Sequence, residues 1–221
     1  MNSKSLLSLL YLSSPALPIG AFAYSQGLEA AIEMNWVKDD KDLAQWLSGV
    51  LNNGLAQQDL PLFYRLYSAW TAGDEEAVSY WNQYFRASRE SAELLLEDEQ
   101  LGRSLKRLLL SLERINSKEI PSNAGFFTLY ALAAVRFDIS VDEAALGLCW
   151  SWLENQVTVA CKTIPLGQTA AQKVMLPMME KIDQAIEVAK QVEECNIGAT
   201  LPGFAIASAL HETQYSRLFR S

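Results

Sequence analysis

The sequence predicts an all-α protein, a single compact multi-helix bundle of about eight to ten helices, and three observations carry that expectation. Leu and Ala together number about 60 against about 20 Val plus Ile, an excess of strong helix formers over residues that favour strands. Gly and Pro contribute only 11 and 7 of 221 residues, too few for a turn-rich sheet protein. Apolar residues recur at helical spacing over long stretches. With 50% hydrophobic and 20% charged residues, the chain can bury a core and is not disordered.

Taken in order, Lys4 precedes an apolar run over 6–12, and Ala21-Phe22-Ala23 has the look of a leader cleavage site. The run is short, and Ser13, Ser14, Pro15 and Pro18 intervene, which argues against export. The stretch 13–29, with two prolines and two glycines, reads as a stiff loop leading into a helix. Leu43, Trp46, Leu47, Val50, Leu51 and Leu55 keep the spacing of one helix face, with Asp39 and Asp40 as a plausible N-cap. Pro61 and Gly73-Asp74 punctuate the next stretch, and Arg89 with Glu93 has the spacing of a helix-supporting ion pair. A further face runs through Leu101, Leu105, Leu108, Leu109, Leu112 and Ile115, stopped by Pro121-Ser122-Asn123. Ser140 and Glu143 form a capping box ahead of Leu146, Cys149, Trp150, Leu153 and Val157. Pro165, Pro177 and the stretch 196–198 divide the remainder. No flexible linker or internal repeat appears, so residues 1–221 read as one domain, with the N-terminal segment 1–23 and the tail 211–221 as its mobile parts.

Several functions are excluded by what the chain lacks. Its 18 Lys plus Arg against 26 Asp plus Glu give a net charge of -8, the wrong sign for a broad nucleic-acid surface. No GxxxxGK[ST], GxGxxG or GxSxG occurs, so the chain carries no phosphate loop, dinucleotide turn or nucleophile elbow. The apolar stretches 124–135 and 199–210 have about 12 residues each, against the ~20 needed to cross a bilayer. Cys149 and Cys161, on one helix, lie roughly 18 Å apart, beyond disulfide reach, and an odd thiol count suits a reducing cytoplasm. Paired acids such as Glu75-Glu76 diverge around a helix and read as solvated surface. His211, the single histidine, can hold a metal such as nickel only if a symmetry mate supplies a second ligand; otherwise it packs.

Two regions, 13–29 and 211–221, mix aromatic, polar and Arg residues in the manner of binding segments. At these same residues the chain resembles the urease accessory protein UreF family. The strings SPALPIG and YSQGLE (24–29), ASRESAEL (87–94), EDEQLGRSL (97–105), WLENQV (152–157), PLGQTA (165–170) and HETQYSRLFRS carry the resemblance, in order, over essentially the whole chain. Ala21-Phe22-Ala23 departs from the Gly-Phe-Ser expected there.

The resemblance implies a cytoplasmic, non-catalytic protein without a cofactor of its own. It would help nickel reach apo-urease as a homodimer, together with UreD (also called UreH) and the GTPase UreG, which binds the GTP. Neither nucleic acid nor membrane is an expected partner. Partner-binding candidates are Tyr24, Glu154, Gln156, Lys162, Gln168, His211, Glu212, Gln214, Tyr215, Arg217, Phe219 and Arg220. Glu154, Gln156, Lys162 and Gln168 are expected to gather at one helix-helix corner, either as a surface for UreG or metal transfer or as a network that fixes the corner. A rival reading makes Arg217, Arg220 or Lys162 a charge-stabilising finger in the UreG nucleotide site.

Overall fold

The computed structural model describes residues 3–198 and 201–220; the parts of the two terminal segments and of the stretch 199–210 that fall on residues 1, 2, 199, 200 and 221 lie outside them. The described residues form helices joined by turns, with no strand among them. In order these are α1 (Ser3–Leu12), α2 (Leu28–Glu33), α3 (Asp40–Val50), a π-helical segment (Leu51–Asp59), α4 (Leu60–Ala72), α5 (Glu75–Ala87), α6 (Ala92–Ser111), α7 (Phe126–Arg136), α8 (Val141–Thr163), α9 (Gln168–Gln191) and α10 (Pro202–His211). The all-α expectation holds.

Local chemistry fixes most helix starts. The Asp39 carboxylate accepts from Lys41 N and Asp42 N at 2.9 Å, and the Ser140/Glu143 capping box is formed. Gly73 ends α4 in the left-handed conformation, and Asp74 caps α5.

The predicted breaks at prolines are where the structure differs. Pro61 does not divide the chain: α3, the π-helical segment and α4 run on as one rod from Asp40 to Ala72. The π turns loosen the ladder just before the proline, with Leu60 N–H reaching back to Leu55 O. Gln57, four residues before Pro61, has its carbonyl taken by Gly198 N at 3.2 Å, so the bond the proline cannot make is replaced from another element. Pro177 also lies inside a helix, α9, on an exposed turn where water can solvate the released carbonyl. Arg89 and Glu93 do not pair, because 88–91 is not helical and α6 begins only at Ala92 behind its cap, Ser91. Arg89 is turned instead to Asp59 and lies over the Phe85 ring at 4.0 Å.

α7 is the centre of the molecule. Every residue from Thr128 to Ala134 is buried, so this apolar helix is clad on all sides by α4, α6 and α8. Its first N–H groups, which have no partner within the helix, are met by side chains from neighbouring helices. Asp98 of α6 accepts from Phe126 N at 2.9 Å and Phe127 N at 3.4 Å, while Asn82 of α5 accepts from Gly125 N and Thr128 Oγ1. Gly125 permits that cap, since a Cβ there would stand 1.7 Å from Asp98 Oδ2. Trp70 of α4 donates to Thr128 O at 2.9 Å, and Phe63, Leu66, Leu105, Leu109 and Leu148 complete the core, each buried side chain of this size contributing about 1.5–3 kcal/mol.

Candidate functional site

Carboxylates are rarely buried without partners, and the buried Glu29 with the half-buried Glu93 locates the site. Glu29 follows Leu28 at the start of α2, and Glu93 lies in the first turn of α6. The turn before α2 is compact because Gly27 sits at φ +77; a Cβ there would meet Ser208 N at 2.8 Å, so the glycine lets α2 lie against α10. α10 then delivers His211, fully buried, between the two acids. Its Nδ1 is 2.7 Å from Glu93 Oε2 and its Nε2 is 3.1 Å from Glu29 Oε2.

The same acids hold the chain end. Glu29 accepts from Leu218 N at 2.7 Å and Phe219 N at 3.1 Å, and Glu93 accepts from Arg217 Nη1 at 2.6 Å. Beyond them Arg220 N donates to Ala23 O at 2.8 Å. Phe219 enters the core, with Lys162 Nζ of α8 lying 5.5 Å from its ring centre. Glu212 accepts from Ala92 N, and Ser91 Oγ lies 2.6 Å from Ser208 Oγ, so α10 is also stitched to the cap of α6. Residues 211–220 therefore form a strap across α2, α6 and the end of α8.

Beneath the strap, α8 fixes the loop before α2. Asn155 Nδ2 donates to Tyr24 O at 2.9 Å, Gln156 Nε2 to Ser25 O at 3.2 Å, and Gln26 bridges Trp152 Nε1 and Glu97. A cleft of about 130 Å³ adjoins this network, bordered by Gln58 and Asp59 of the π-helical segment and by Arg89 and Asp98. Burial pushes the Asp98 carboxyl up to about 6, with Arg89 and the α7 amides opposing the rise.

Of the candidates from sequence, Tyr24, Gln156, His211 and Phe219 are buried and turned to their own chain. Tyr215 is fully exposed, Leu218 beside it is 71% exposed, and Glu212, Arg217 and Arg220 also lie at the surface. Gln214 folds back on Ser216 O at 3.0 Å. Among Glu154, Gln156, Lys162 and Gln168, all of them described residues, no hydrogen bond joins one to another. Gln156 serves the α2 loop, Lys162 faces Phe219, Gln168 is exposed, and burial raises the Glu154 carboxyl. Both nitrogens of His211 are committed to carboxylates, and no group of three His, Cys, Asp or Glu among the described residues could hold a metal ion. Glu29 and Glu93 were absent from the candidates read from sequence. The available signal was Glu29 standing in the apolar stretch Leu28-Glu29-Ala30-Ala31, where a solvated face is not expected.

The UreF family model matches residues 37–179. The urease accessory protein UreF of Chromohalobacter salexigens is 49% identical over 218 residues, covering 98% of this chain and 95% of that protein. Those of Teredinibacter turnerae and Hahella chejuensis are 49% and 47% identical over 222 residues, and each pair is covered in full. The chain that folds its C-terminal strap onto Glu29, Glu93 and His211 belongs to the UreF family of urease accessory proteins.

Proposed function

We propose that this protein is a cytoplasmic, non-catalytic scaffold that acts as a homodimer with UreD and recruits the GTPase UreG during nickel insertion into apo-urease. The observation that carries the reading is the strap. Its anchors, His211, Arg217 and Phe219, are engaged within the chain, while Tyr215 and Leu218 are held outward on a backbone already fixed by Glu29. Large side chains presented on a pre-ordered segment bind with little ordering cost, and Tyr is a common anchor at interfaces. Glu212, Gln214 and Arg220 belong to the same segment, Lys162 of α8 lies against its Phe219, and Glu154 and Gln168 of α8 and α9 are further polar candidates for the partner surface. The lack of any phosphate loop supports GTP being bound by UreG rather than here.

Co-purification with UreD and UreG tests the proposal. Y215A with Leu218→Asp should lose the complex while keeping the helical circular dichroism spectrum; a complex of undiminished yield would refute it. The alternative, a finger that speeds GTP hydrolysis, is favoured by one observation: among the described residues Arg220 has no carboxylate partner, whereas Arg217 is tied to Glu93. Single-turnover hydrolysis by UreG separates the two readings, since only a finger makes the chemical step depend on Arg220.

A further inference from the structure

The strap lies at the N-terminal end of α6, a helix of 20 residues and so about 30 Å long. At the other end the surface changes character. In a chain of net charge -8, residues 103–118 hold five cations against the single acid Glu113; Arg103 is tied to Glu99 at 2.9 Å, which leaves Lys106, Arg107, Arg114 and Lys118 without a carboxylate partner among the described residues. There a groove of about 500 Å³ runs between α1 and the end of α7, lined by the cations Lys4, Arg114 and Arg136, the apolar Leu7, Tyr11 and Phe137, and one acid, Asp138. Arg136 is held by Glu119 at 2.7 Å, and Lys4 stands 3.8 Å from Asp138. Arg114 has no carboxylate partner among the described residues. Its guanidinium lies 4.9 Å over the Phe137 ring, whose centre is 6.1 Å from that of Tyr11. Leu7 is 66% exposed at the groove.

We propose that this groove docks an acidic amphipathic segment of a partner protein. A carboxylate pairs with Arg114, and an aliphatic or aromatic side chain lies against Leu7 and Tyr11. A guanidinium stacked on an aromatic face is already oriented, with its N–H edge free for two parallel bonds to a carboxylate, so little side-chain freedom is lost on binding. The basic corner on an otherwise acidic molecule steers an acidic segment to this end and repels others. A nucleic acid fits less well, because Glu119 neutralises Arg136 and Asp138 borders the groove.

The test uses the full chain and a short fluorescein-labelled peptide in which Glu alternates with Leu and Phe, beside the same peptide with Lys for Glu. Anisotropy should show binding of the acidic peptide alone, weakened at least about tenfold by Arg114→Glu, by Lys4→Glu and by high salt. Y215A, at the strap, should bind it unchanged. Both substituted cations are exposed, and circular dichroism confirms that the variants fold. Equal affinity for the two peptides, or retention by Arg114→Glu, overturns the proposal. It is equally overturned if a labelled oligonucleotide binds more tightly than the peptide, or if sedimentation shows the groove closed by a second copy of the chain.

Discussion

Asp98→Asn removes one titrating group from the core while keeping the oxygen that caps α7. In the folded protein burial lifts the Asp98 carboxyl from 3.8 to about 6. The native state therefore holds this proton more tightly than the unfolded chain. The stability it contributes is full below the unfolded value and is lost as pH rises through about 6. With those two values the contribution is close to zero at pH 7, roughly 1 kcal/mol at pH 5 and roughly 2 kcal/mol at pH 4. Asn cannot titrate. It adds an amide N–H₂ beside Gly125 where Asp98 Oδ2 has no hydrogen-bond partner among the described residues, at a cost of about 1–3 kcal/mol that is the same at each pH. Carboxylates held low by their partners, such as Glu99 beside Arg86, are present in both proteins and cancel. Urea unfolding at pH 7, 6 and 5 should show the wild type gaining roughly 1 kcal/mol on the variant between pH 7 and pH 5. Parallel curves, or a gap that changes in the opposite sense, would refute the account of Asp98 as a carboxyl whose burial outweighs its cap.

Gly125→Ala drives a Cβ into the Asp98 carboxylate and should displace the α7 cap, costing about 2–4 kcal/mol in denaturant unfolding. His211→Ala removes a partner from the buried Glu29 and from the half-buried Glu93, and about 3–5 kcal/mol should be lost, with Glu29→Gln in the same chain restoring part of it. Glu29→Ala removes the acceptor of Leu218 N and Phe219 N, so hydrogen exchange should quicken over 212–220 more than in α7. Y215A alone should change stability by no more than about 0.5 kcal/mol, because the side chain touches little of its own chain.

What the sequence made legible was local. The Asp39 cap, the Ser140/Glu143 box and the Gly73-Asp74 junction are encoded within four residues of where they act, and all are formed. The continuous rod through Pro61 was not legible, because the group that satisfies Gln57 O is Gly198, far along the chain. Spacing suggested that Arg89 pairs with Glu93, but a helix start between them broke the geometry that spacing assumes. His211 and Arg217 could be singled out as unusual, yet their partners could not. Glu29 stands out only as an acid within an apolar stretch, with nothing nearby to name the tail as its partner, and Asp98 is indistinguishable in sequence from Glu97 and Glu99.

The strap also sets an order of events during synthesis. Leu218 meets Glu29 across 189 residues, a separation the ribosome covers in roughly 10 to 40 seconds. Throughout that time Glu29 and Glu93 lack the histidine and backbone amides that later enclose them. The segment bearing Tyr215 can settle over these acids only once residues 211–219 have been made. A nascent chain that stops short of His211 would thus hold Glu29 and Glu93 without the groups that later enclose them, a carboxylate pair with a desolvation cost and nothing yet to offset it.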